Sequence, residues 1–234
     1  MKKHLPNLLT LLNLFSGIIA LKFALEQEFQ WTLLWIAIGI TFDFFDGFLA
    51  RALKVTSPLG LQLDSLADMV TSGLVPGQVM YWLISYDAAH YGSLSHFYLP
   101  FVGYLVTLAS AYRLARFNID ARQAHGFIGL PTPANALLIT SIGVIVNEAS
   151  YISALPLWAT LSLTVLSCYL LNSNIPLLAL KFKDFSWKHN AMKYIYLLLS
   201  VLLLLIFKVT ALPMIILAYI LLSILQNQLE KKNH

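Results

Sequence analysis

Residues 43–68 read DFFDGFLARALKVTSPLGLQLDSLAD. Four carboxylates, Asp43, Asp46, Asp64 and Asp68, stand here inside two otherwise apolar segments separated by a short polar turn, in a chain with only eleven acidic residues. Burying one ionised carboxylate away from water is costly, and burying four together calls for a cation. Asp43 and Asp46 are spaced i, i+3 and Asp64 and Asp68 i, i+4, so each pair shares one helix face. With a chain reversal near Lys54 to Ser57, Asp43 lies eight residues before Arg51 and Asp68 eight after Gly60. Both then sit about 12 Å from the turn, and the four carboxylates converge at one depth. An all-oxygen ligand set suits Mg²⁺ or Mn²⁺, two ions being conceivable, with Ca²⁺ able to occupy the same site, and argues against zinc.

Gly47, Ala50 and Gly60 lie on or near the same surface, where a missing side chain lets a ligand or a second helix approach the backbone. Arg51 adds a planar cation suited to phosphate. The pattern D-x-x-D-G-x-x-A-R, eight residues, G-x-x-x-D-x-x-x-D is met at every fixed position by Asp43, Asp46, Gly47, Ala50, Arg51, Gly60, Asp64 and Asp68. It resembles the signature of the CDP-alcohol phosphotransferase (CDP-alcohol phosphatidyltransferase) family.

The composition sets the class. Of 234 residues, 59% are hydrophobic and 11% charged, against roughly 25% charged in soluble domains, which marks an all-α integral membrane bundle. The net charge of +4 comes from basic residues scattered at loop ends, pointing to anionic lipid headgroups and not to nucleic acid. The single cysteine, Cys168, excludes an intrachain disulfide framework. Apolar runs at 5–24, 31–51, 59–84, 97–116, 133–149, 152–171, 191–208 and 211–228 predict about eight transmembrane helices in one domain, residues 1–234. Residues 1–171 form a six-helix core and 191–228 two additional helices. The basic, then apolar, N-terminus is read as retained and not as a cleaved signal.

With the N-terminus inside, Lys2, Lys3, Arg51, Lys54, Arg113, Arg116, Arg122, Lys181, Lys183, Lys188, Lys193, Lys231 and Lys232 share one side, against Lys22 and Lys208 on the other. That asymmetry predicts both termini in the cytoplasm and a carboxylate site that faces it, in the cytoplasmic (inner) membrane. His90 and His96 lack ligand spacing.

Two further constellations stand out. In the first apolar run Asn7, Thr10 and Asn13 recur at i, i+3, i+6 as a polar stripe, read as lining the cavity beside Asp43. At the inner end of the fourth run, RLARFN places Arg113 and Arg116 on one face, followed by the stiff turn GFIGLPTPAN with Gly126, Gly129, Pro131 and Pro133, where Thr132 and Asn135 offer hydrogen bonds. A cationic pair facing such a loop suits a small anionic or zwitterionic acceptor.

RLARFN and GLPTPAN resemble the membrane-embedded bacterial phosphatidylserine synthase branch of the same family. The resemblance implies transfer of a phosphatidyl group from CDP-diacylglycerol to L-serine, releasing CMP, commonly by a homodimer; Gly39 and Gly103 are candidates for its interface. It implies metal ligation by Asp43, Asp46, Asp64 and Asp68. CDP-lipid contacts fall to Asn7, Thr10, Gly47, Ala50, Arg51 and Gly60, and serine contacts to Arg113, Arg116, Asn118 and Thr132. Asp68, the most peripheral carboxylate, is the expected general base. A sister phosphatidyltransferase using glycerol 3-phosphate or an inositol phosphate is the nearest alternative, and a non-enzymatic cation transporter a distant one.

Overall fold

The computed structural model describes residues 4–55, 57–88, 97–120, 127–148, 155–177 and 187–232. Lys2, Lys3, His90, His96, Arg122, Gly126, Lys181 and Lys183 lie outside them. Helix α1, Leu5–Leu25, shows the principle of assembly: Leu5, Leu8, Leu11, Phe15 and Ile18 face outward, while Thr10, Asn13, Ser16, Gly17 and Ala20 are buried. This inverts the soluble pattern. Apolar side chains exposed to lipid cost nothing, and small or weakly polar residues let helices approach closely.

Gln27, at a left-handed φ of 62°, turns the chain into α2, Phe29–Leu53, which packs antiparallel along α1. Lys54, at φ 55°, ends α2. Ser57 then caps α3, Pro58–Asp68, accepting from the Gly60 N–H at 3.0 Å, with Pro58 placed where no N–H is missed. The polar turn expected between the two acidic segments is thus a helix stop followed by a helix start.

From α3 the chain continues through a π-helical segment, Met69–Leu74, into α4, Val75–Ala88. The irregularity lies just before Pro76 and Gly77. Proline has no N–H to give to the carbonyl four residues earlier, and the helix widens on that side. Neighbours hold the widened turn: Thr71 Oγ1 donates to the Asn13 carbonyl at 3.1 Å and Thr107 Oγ1 to that of Gly73 at 3.0 Å.

A 3₁₀ turn, Leu99–Tyr104, leads into α5, Leu105–Ile119, followed by α6, Thr132–Glu148, and α7, Leu157–Asn172. A two-residue antiparallel ladder, β1 (Phe127–Ile128) with β2 (Pro176–Leu177), pairs Phe127 with Leu177 and Ile128 with Pro176. It ties the loop before α6 to the chain after α7, with Gly129 at φ 74° and its N–H 2.9 Å from the Ile175 carbonyl.

Helices α8 (Trp187–Phe207) and α9 (Ala211–Lys232) belong to a long apolar run. The run is folded back on itself. Tyr196 and Tyr219, twelve residues before and eleven after Lys208, meet with ring centroids 5.6 Å apart and ring planes tilted by 48°, and Lys208 takes a left-handed φ of 50° at the turn. This hairpin covers Leu130, Leu138 and Leu177.

Among the described residues three helical runs are long and apolar enough to cross a membrane, Leu5–Leu25, Phe29–Leu53 and Lys193–Gln228, with Leu157–Asn172 a shorter apolar helix. The protein is a helical membrane protein. Gly39 and Gly103 face the chain's own helices: a Cβ on Gly103 would stand 2.6 Å from the Tyr81 backbone N, and one on Gly39 would stand 2.8 Å from Thr71 Cγ2.

Candidate metal and diphosphate site

The hairpin of α2 and α3 brings the acidic segments side by side. Carboxylate oxygens of Asp43, Asp46 and Asp64 lie within 4.8 Å of one another. Among the described residues none of the three has a basic side chain within 4.0 Å. An acceptor-only cluster without a cationic partner fits a hard divalent ion, as the spacing predicted. The fourth carboxylate, Asp68, expected to converge with the others, is an electrostatic neighbour of Asp43 but lies outside that close set, its Oδ1 accepting from Asn13 Nδ2 on α1 at 3.1 Å. Arg113, from α5, is also its neighbour.

Beside the acidic cluster opens a cavity of about 490 Å³, within the usual range for small-molecule sites. Asn7, Thr10, Gly47, Ala50 and Gly60 line it, together with Asp46 and Asp64. Thr10 also donates its hydroxyl proton to Asp46. Arg51 stands at the edge, its Nη1 3.4 Å from where a Cβ on Gly47 would be, so Gly47 makes room for the guanidinium. The remaining walls, Pro6, Val55, Ser57, Pro58 and Leu61, were not singled out from sequence. Ser57 was legible only as part of the turn, and the place of Ser57 and Pro58 in the wall follows from α3 beginning at the cavity.

A second, small recess is lined by Arg113, Arg116, Phe117, Ile128, Leu171, Asn172 and Ser173. The structure separates the two arginines. Arg113 is buried, its Nε lacking a partner among the described residues, and its guanidinium stands 5.8 Å from the Phe117 ring centroid. Arg116 is half-exposed and donates to Asn174 Oδ1 at 2.9 Å. Asn118 and Thr132 are not in the recess lining. Asn118 Nδ2 donates to Ser65 Oγ at 2.8 Å, joining α5 to α3, and Thr132 is buried at the start of α6, as is Asn135, its side chain without a partner among the described residues. Asn172 and Ser173 were missed; the signal was the polar stop NSN, residues 172–174, closing an apolar helix.

Fold and site together define a membrane-embedded helical protein with an acidic, metal-type cluster at the mouth of a cavity. The family model described as CDP-alcohol phosphatidyltransferase matches residues 3–169, and the chain belongs to that family. It is similar to the CDP-diacylglycerol–serine O-phosphatidyltransferase of Helicobacter pylori, 31% identical over 172 residues covering 73% of this chain and 70% of that protein. The Bacillus subtilis protein of the same name is 32% identical over 148 residues, covering 62% and 77%. That of Saccharomyces cerevisiae is 30% identical over 169 residues, covering 65% and 58%.

Proposed function

We propose that this protein is a phosphatidylserine synthase, moving the phosphatidyl group of CDP-diacylglycerol onto the hydroxyl of L-serine and releasing CMP. The observation that carries the proposal is the convergence of the Asp43, Asp46 and Asp64 carboxylates, two of which, Asp46 and Asp64, line the cavity at whose edge Arg51 stands. The names of the similar proteins support serine as acceptor.

Asp43, Asp46 and Asp64 hold Mg²⁺ or Mn²⁺, with Asp68 completing the shell. Bound there, the cation neutralises diphosphate charge and makes the phosphorus more electrophilic. Asn7, Thr10, Gly47, Ala50, Arg51 and Gly60 seat the cytidine diphosphate. Arg113 and Arg116 grip the serine carboxylate, with Asn118 and Thr132 supporting the acceptor side. Asp68 takes the serine hydroxyl proton as the oxygen attacks phosphorus, and the bond from phosphorus to the CMP oxygen breaks in the same displacement. The acyl chains stay in lipid.

The chain crosses the inner membrane eight times, with both termini and the site on the cytoplasmic side. Residues 1–171 form the catalytic core and 191–228 an added hairpin, and the protein works as a homodimer. The test is CMP release by detergent-purified protein given CDP-diacylglycerol and Mg²⁺ or Mn²⁺, comparing L-serine, glycerol 3-phosphate and inositol 3-phosphate. Release that requires serine is the expected result; stimulation by another acceptor alone reassigns the acceptor pocket.

A further inference from the structure

Asn13 lies midway along α1 with no exposed surface and is not part of the cavity lining. The polar stripe that sequence placed along the nucleotide therefore divides. Thr10 donates to Asp46, and one turn deeper Asn13 Nδ2 donates to Asp68 Oδ1 at 3.1 Å. An amide nitrogen only donates, so this contact fixes one Asp68 oxygen as an acceptor, and among the described residues no side chain bonds the other.

The amide is itself wedged. Its backbone carbonyl accepts from Thr71 Oγ1 at 3.1 Å, and its Oδ1 would stand 2.9 Å from a Cβ on Gly39. Gly39 precedes Asp43 by one helical turn on α2, and Thr71 follows Asp68 by three residues, so the wedge sits directly beneath the acidic residues. Asn13 Oδ1 has no partner among the described residues. A side chain kept only for packing would not leave a buried carbonyl oxygen unpaired, since an apolar residue fills the same space without that cost.

We propose that Asn13 is a positioning residue that turns Asp68 toward the metal, with Gly39 providing the space its amide needs. This rests on the metal reading above. The test measures Mn²⁺ affinity of the purified full-length protein by the EPR signal of free Mn²⁺, beside its thermal midpoint. In Asn13→Leu, similar in size but without a donor, the affinity is expected to fall about tenfold to a hundredfold, as when a partner of a metal ligand is removed. Gly39→Ala, whose Cβ would press on the Asn13 amide and on Thr71 Cγ2 while leaving every carboxylate in place, is expected to weaken it in the same direction. A folded Asn13→Leu protein with parental midpoint that binds Mn²⁺ within about twofold of the parent overturns the role. Asn13→Ser, smaller on every side and too short to reach Asp68, decides the matter where leucine is not accepted. A parent protein that takes up no Mn²⁺ overturns the metal reading itself, so the two failures are told apart.

Discussion

Thr107 Oγ1, on α5, stands 3.0 Å from the carbonyl oxygen of Gly73 and donates to it across the helix interface. The acceptor lies in the π-helical segment, where the regular ladder of backbone bonds is interrupted. Thr107→Val keeps the shape and removes the donor, leaving a buried carbonyl unpaired. The expected cost is about 1 kcal/mol, typical of hydrogen bonds between membrane helices. It should appear as a lower thermal midpoint in detergent with the affinity for CDP-lipid unchanged.

In the proposed mechanism Asp64 holds the metal and Asp68 takes the proton. Asp64 belongs to the tight three-carboxylate set, whereas Asp68 is held by Asn13 at its side. Asp64→Asn is expected to abolish Mn²⁺ binding, and turnover with it. Asp68→Asn is expected to lower kcat by about 100-fold or more, the range of a general base, while retaining more Mn²⁺ affinity than Asp64→Asn. Parallel EPR titrations and CMP-release assays check both; equal loss of metal in the two variants removes the division of roles.

The acidic site was legible because its residues are near in sequence. Asp43 to Asp68 is one helical hairpin, and periodicity with a turn suffices to bring Asp43, Asp46 and Asp64 together, whereas Asp68 is drawn aside to Asn13. The helical runs were legible for a similar reason, since each is a local stretch of apolar residues. Contacts made across distant segments were not. Asn172 reaches the recess of Arg113 only because α7 packs on α5, and Asn118 is drawn to Ser65 by the approach of α5 to α3. No spacing rule encodes either. The π-helical segment lies on the N-terminal side of Pro76, because a missing N–H disturbs the turn that precedes the proline.

Gly47 tests the nucleotide end of the cavity. A Cβ there meets Arg51 Nη1 at 3.4 Å, so the branched side chain of Gly47→Val displaces the guanidinium and narrows the wall. The Michaelis constant for CDP-diacylglycerol is expected to rise about tenfold, the loss of one charge-assisted contact to phosphate, with that for serine little changed. Initial-rate measurements varying one substrate at a time separate the two. A rise confined to serine places the nucleotide elsewhere.

The two arginines of the recess give opposite expectations on the acceptor side. Arg116 is held from outside by Asn174 Oδ1 at 2.9 Å and by the Asn172 carbonyl at 3.4 Å, so it is oriented by the end of α7. Asn174→Ala frees the guanidinium without removing it and is expected to raise the Michaelis constant for serine a few-fold. Arg116→Ala removes the cation and is expected to raise it about tenfold or more, with kcat largely kept, the signature of lost ground-state binding. Arg113 is different, being buried beside Asp68 and against Phe117. Lysine supplies a charge but neither the planar fork nor the aromatic stacking, so Arg113→Lys is expected to lower kcat as well as serine affinity. Serine titrations at saturating CDP-diacylglycerol resolve the pattern. If Arg113→Lys changes only the Michaelis constant, Arg113 binds the acceptor without bearing on the proton transfer at Asp68.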